Sequence, residues 1–135
     1  MVEHMTCFWT GIVSSLTSED VGLLGNPPTH DLPALIRRFQ ELAVDSGLNI
    51  TWQGTDLTVL EIKEHKEAIR EYITSNIGNG HLTSSCDPFL CLLADVLECR
   101  IQFRYINTMI VFETKKTVRK IIQFAASDSH FVCAG

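Results

Sequence analysis

Along this chain the spacing of hydrophobic residues changes once, about two thirds of the way through. Up to that point the apolar positions recur with the helical period. Phe8, Ile12, Val13 and Leu16 form a first stripe, opened by Cys7 and ending near the polar run Thr17 to Asp20. The turn-forming stretch LLGNPPTHD follows, where Pro27 and Pro28 break regular structure and Thr29 or Asp31 is placed to cap what comes next. Leu32, Leu35, Ile36, Phe39, Leu42 and Ala43 mark a second helix, stopped near Gly47. After an irregular stretch holding Trp52 and Gly54, the pattern predicts a longer helix over residues 57 to 77, with Val59, Ile62, Ile69, Ile73 and Ile77 turned inward. Its other face, from Glu61 through Glu71, mixes Glu, Lys and Arg and reads as a solvated surface. Beyond the loop GNGHLTSSC, Asp87 and Pro88 supply a cap and a first-turn proline for a fourth helix that buries Leu90, Leu93, Ala94 and Leu97.

From there the period becomes two. Ile101, Phe103 and Tyr105 alternate with Gln102 and Arg104. The segments MIVFE and KIIQFAA follow as strands, with hairpin-length connections around Asn107-Thr108 and Lys115-Lys116. His130 begins or immediately precedes a last strand, HFVCA. Helices followed by a meander of strands predict an α+β domain in which an antiparallel sheet packs against helices. No internal repeat or low-complexity segment interrupts this order.

With 135 residues, 45% of them hydrophobic, the chain suits a single domain with a core of its own. The 16 acidic residues outnumber the 11 Lys and Arg, giving a net charge of −5 and no concentrated basic face, so nucleic acid is not an expected partner. The amino terminus lacks a basic segment leading into an apolar run, and no apolar stretch approaches membrane-spanning length. A cytoplasmic monomer with no membrane partner and no cofactor is the expectation. Five cysteines without a C-x-x-C pair support neither a disulfide framework nor a structural zinc site. Cys91 and Cys99 fall in or beside an apolar helix and Cys133 is in phase with Phe131, so all three read as small buried side chains.

Cys7 has a different setting. A thiolate is the reactive form of cysteine, and the positive end of a helix dipole favours it. Backbone amides at the same helix start also suit a developing oxyanion. A histidine that accepts the thiol proton would complete a cysteine-protease pair, and His130, at the far end of the chain, is the candidate. Such a pair requires a fold that joins the termini. His81 stands in the loop beside Cys86, where a Cys-His zinc site or a second catalytic pair is a further candidate; His4, His30 and His65 have no comparable context.

The segments TCFWTGIVSSL, HLTSSCDPFLCLLADVLECRIQFRY and SDSHF, in this order and spacing, resemble the ovarian-tumour (OTU) family of cysteine proteases and deubiquitinases. In that family a D-G-x-C loop opens the nucleophile helix. A segment W-G-G-x-x-E-L-x-x-L-A-x-x-L leads into a strand, and a histidine followed by an aromatic comes near the end. Cys7-Phe8-Trp9 stands at the nucleophile position, Leu92, Leu93, Ala94 and Leu97 in the middle helix, and His130-Phe131 at the terminal motif.

The resemblance implies a papain-like fold, Cys7 as nucleophile, His130 as general base, and the backbone of Met5, Thr6 and Cys7 as oxyanion hole. It further implies hydrolysis of isopeptide or peptide bonds after the carboxy-terminal glycine of ubiquitin or a ubiquitin-like modifier. This chain has His4 and Met5 where the family has Asp and Gly, and GHLTSSCD in place of the W-G-G segment. Val132 stands where an Asn or Asp usually orients the imidazole, which leaves Asp128 or a bare Cys-His dyad. The compact size is similar to the minimal OTU domains of viruses, which act in the host cytoplasm and also cut polyproteins. Two other classes remain: an OTU-like module that binds ubiquitin without cleaving it, and an unrelated α+β interaction domain in which Cys7 and His130 never meet.

Overall fold

In a computed structural model of the chain, residues 7–74, 77, 85–127 and 130–133 are described, with Ser127 and His130 described by their backbone alone. The elements in chain order are α1 (Cys7–Ser15), α2 (Ser18–Leu23), α3 (Leu32–Asp45), β1 (Ile50–Trp52), β2 (Thr55–Asp56), α4 (Val59–Glu71), α5 (Pro88–Val96), β3 (Cys99–Tyr105), β4 (Thr108–Thr114), β5 (Lys120–Ser127) and β6 (His130–Cys133). Among the described residues, no helix is long and apolar enough to cross a membrane.

Local chemistry sets the helix boundaries. The polar run at Thr17 starts a helix as well as ending one. The Thr17 hydroxyl accepts the Asp20 N–H at 3.2 Å, and the Asp20 carboxylate accepts the Thr17 N–H at 2.9 Å, a capping box that launches α2. Asp31, one of the two expected candidates, caps α3 by accepting the Ala34 N–H. A second capping box, Thr58 with Glu61, starts α4 at Val59, and the chain turns extended at Tyr72. There Gln40 Nε2 donates to the carbonyls of Ile69 and Tyr72 and closes the helix end.

The predicted 57–77 helix is therefore shorter, and two of its expected core residues are corrected. Val59 sits at the first helical position, 86% exposed, and Ile73 lies past the end, 59% exposed; Ile69 is fully buried, while Ile62 and Ile77 are partly so. α5 behaves as expected, with Asp87 accepting from the Phe89 and Leu90 N–H groups and Pro88 in the first turn. Leu90, Cys91, Leu92, Leu93 and Ala94 are all buried, because α5 lies between the sheet and helices α3 and α4.

The sheet has six strands in the order β2-β1-β4-β3-β5-β6. Ile101, Phe103, Ile110, Phe112, Ile122, Phe124 and Phe131 form its buried side, with Ile101 opposite Phe112 and beside Ile122, and Phe103 opposite Ile110 and beside Phe124. Two sequence expectations are corrected here. The stretch around Trp52 and Gly54 is a hairpin, β1 to β2, turned by Gln53 and Gly54 at φ 52° and 79°. More consequentially, the sheet is mixed: β5 runs parallel to β3, so Lys115-Lys116 is not a hairpin turn.

The reason is occupancy and charge. β1 pairs with the edge of β4 that a continued meander would use. The chain instead rounds the start of β3, where Arg119 donates its N–H to Glu98 at 2.8 Å and its Nε to the Leu97 carbonyl at 3.0 Å. Arg119 and Lys120 then both bind the fully buried Asp20, Lys120 at 2.7 Å.

Burial works against ionisation of Asp20, but the bonds from Lys120, the Thr17 N–H and Arg119 outweigh it and hold the carboxyl at about 2 against an ordinary 3.8. A carboxyl lowered on folding stabilises the fold above its unfolded pKa and loses that contribution as pH falls through the folded value. Stability is expected to drop by about 2 kcal/mol between pH 4 and pH 2 through this group alone. Asp20→Ala should remove the step and cost about 2–4 kcal/mol at neutral pH, because two partly buried cations lose their anion; urea unfolding at several pH values measures both.

Candidate active-site groove

Helix α1 lies directly on strand β6. Trp9 is completely buried, with its indole 4.8 Å from the Phe89 ring and 5.6 Å from the Tyr72 ring, and its Nε1 donates to the Tyr72 hydroxyl at 3.1 Å. Phe8 packs on Phe131 at 4.8 Å, and Phe131 touches Phe124 at 4.9 Å and Phe103 at 5.6 Å. These contacts tie α1 at once to α5 and to three strands. Gly11 makes the approach possible, since a Cβ there would stand 2.7 Å from the Phe131 ring and 3.4 Å from the Phe131 carbonyl oxygen. Trp9 and Phe131 are thus packing residues, both buried, that seat α1 on the core.

Between α1 and β6 runs an open groove of about 480 Å³. Cys7, Thr10 and Ser14 line it from the helix, Val132 and Cys133 from the strand, with Gly11 and Phe131 where the two meet. Cys7 is half-exposed and is the first residue of α1, where backbone N–H groups have no partner within the helix. His130 is the first residue of β6, its backbone paired with Ser127. The fold therefore joins the two ends of the chain, and the groove that holds Cys7 is walled by the strand that His130 opens. The imidazole of His130 and the residues Met5, Thr6 and Asp128 lie outside the described residues, as do His4 and His81. Cys133, expected to be buried, is half-exposed on the groove, because β6 is the last strand of the sheet.

The other thiols differ sharply in environment. Burial pushes Cys99 up to about 12, and Cys91 lies well above the ordinary thiol value through its bond to Cys86 and its burial. Both agree with inert, buried side chains. Cys86 is the exception: a hydrogen bond from Cys91 first, and then His65, hold its thiol down at about 6 in spite of half-burial. Its Sγ lies 3.5 Å from His65 Nε2, and the bond to Cys86 raises His65 in turn.

The sequence singled out Cys86, but with His81 beside it in the loop; nothing local signalled His65 or Cys91 as its partners. His65 lies on the charged stripe of α4, and Cys86 and Cys91 are spaced outside the C-x-x-C pattern. Asp87 already accepts from the first-turn amides of α5, so the helix start beside Cys86 has no such donors to offer an oxyanion.

Replacing Gly11 by Ala sets a gain of about 1 kcal/mol in helix propensity against overpacking of about 1–3 kcal/mol on a ring that three neighbours hold in place. A net loss of roughly 1 kcal/mol is expected. Gly22→Ala, with open space around its Cβ, should instead stabilise by a few tenths of a kcal/mol; paired thermal melts of the two variants give the signs.

Compared with known proteins, the chain matches no family model, no curated protein and no solved structure.

Proposed function

We propose that this chain is an OTU-like thiol hydrolase that cuts isopeptide or peptide bonds after the carboxy-terminal glycine of ubiquitin or a ubiquitin-like modifier. The observation that carries this reading is the packing of α1 on β6, which sets Cys7 at a helix start in a groove walled by the strand that begins with His130. Three further features agree with it. The groove is open, so a peptide carbonyl has a route to the sulfur. Val132, half-exposed on its wall, offers apolar surface to an extended substrate tail. Phe8, Trp9 and Phe131 anchor both walls in the core through buried aromatic contacts, as a pair that must hold sulfur and imidazole in register requires.

In the proposed reaction His130 takes the proton of Cys7 and the thiolate attacks the carbonyl carbon. Backbone N–H groups of Met5, Thr6 and Cys7 hold the resulting oxyanion. His130 returns its proton to the leaving amine, and water releases the acyl group from Cys7 with His130 again as base. Asp128 is the candidate to orient the imidazole; without it the pair works as a dyad.

Incubation with ubiquitin bearing a carboxy-terminal electrophile should give a ubiquitin-sized adduct on Cys7, seen by mass spectrometry of the intact protein. Cys7→Ala should abolish it, and His130→Ala should slow it by about 10²–10⁴-fold. Adduct formation that survives Cys7→Ala, or no adduct on folded wild-type protein with ubiquitin or ubiquitin-like probes, would sink this reading. Ubiquitin binding without any adduct would leave a binding module in its place.

A further inference from the structure

Away from the groove, three potential ligands converge from two helices. His65 projects from the middle of α4, Cys91 from α5, and Cys86 from the turn just before α5. Their ligand atoms all lie within 4.8 Å of one another. Two tetrahedral ligands of zinc, a sulfur at about 2.3 Å and a nitrogen at about 2.0–2.1 Å, stand about 3.5 Å apart. The Cys86 Sγ to His65 Nε2 distance is 3.5 Å.

We propose that His65, Cys86 and Cys91 form a Cys₂His site for one zinc ion, with the fourth position taken by water.

The chemistry of the donors fits this ion. Two thiolates neutralise a divalent cation, so the bound cluster carries no net charge at a place where Cys91 is fully buried and the other two are half-buried. Sulfur and imidazole select zinc over magnesium or calcium, which take oxygen. Three protein ligands and one water is also a stable zinc coordination.

The scaffold holds the ligands from outside the cluster. Trp52 Nε1 donates to the Ser85 carbonyl at 3.0 Å, fixing the turn that carries Cys86. Asp87 ties the same turn to the first amides of α5. α4 is anchored to α3 at both ends of its last turns, by Gln40 on the Ile69 and Tyr72 carbonyls and by Lys66 Nζ on the Val44 carbonyl at 3.2 Å. The ligand atoms, within 4.8 Å of one another, must close by at most about 1.3 Å to reach tetrahedral spacing, a shift within reach of side-chain rotation on this anchored frame. Filling it would staple α4 to α5 and release the remaining thiol protons. The site is separate from the groove and does not depend on the hydrolase reading.

Full-length protein stripped with chelator under reductant and titrated with Co²⁺ tests the assignment. The expected result is one metal per chain, tetrahedral d–d bands with a thiolate-to-cobalt charge-transfer band, displacement by Zn²⁺, and a higher Tm with Zn²⁺ present. His65→Ala and Cys86→Ser should each weaken binding by about 100-fold or more, while Cys7→Ala and Cys133→Ser should keep the wild-type spectrum. Circular dichroism confirms that each variant is folded before titration, and His65→Ala, which leaves both thiols in place, is the decisive one. The proposal fails if wild-type protein binds no metal at micromolar Co²⁺ or Zn²⁺, if the spectrum is octahedral, or if His65→Ala and Cys86→Ser leave it unchanged. A Cys86–Cys91 disulfide that persists under reductant would also overturn it.

Discussion

One buried carboxylate decides the course of the chain through the sheet. Asp20 is inaccessible to solvent and is satisfied by the Thr17 N–H, Arg119 and Lys120, which lie about a hundred residues further along. A charge in that position is costly without partners, so the segment carrying Arg119 and Lys120 is held at the start of β3. β5 then enters beside β3 and parallel to it, and β6 folds back on the outer side of β5. Only with that order does the last strand reach α1. The placement of Cys7 beside the strand of His130 is a consequence of where Asp20 puts the crossover.

Aromatic packing joins the two walls of the groove to the core. Trp9 joins α1 to α5 and to the Tyr72 turn, and Phe131 joins β6 to Phe8, Phe103 and Phe124. Gly11 lets the two elements meet so closely that even a Cβ there would force the Phe131 ring to shift. The result is a wall made from the two ends of the chain, fixed by buried rings and open where Cys7 sits. A reactive pair needs this combination, since geometry must be held while substrate still enters.

The same chain keeps its thiols in three environments, and environment sets what each can do. Cys99 and Cys91 are buried, with pKa values raised above the ordinary thiol range, and pack in the core. Cys7 sits at a helix start on an open groove. Cys86 is stabilised as a thiolate by Cys91 and His65, but the neighbouring helix start is already capped by Asp87. Chemistry that needs several converging ligands favours the Cys86 site.

Sequence periodicity by itself determined the helices α1, α3, α4 and α5, the strands after Cys99, the Asp87-Pro88 cap and the setting of Cys7 at a helix start, because these rest on contacts within a few residues. It could not separate a polar run that ends a helix from a capping box that begins one, so α2 went unseen; it carried α4 past its end to count Ile73 as core, and it turned the exposed first-turn Val59 inward. The tertiary structure alone decided the parallel β3–β5 pair, the β1–β2 hairpin filling the edge of β4, the meeting of α1 with β6, and the gathering of His65 with Cys86 and Cys91. Each of these depends on residues far apart in the chain competing for one place, as β1 and β5 compete for β4, and no local pattern records which of them wins.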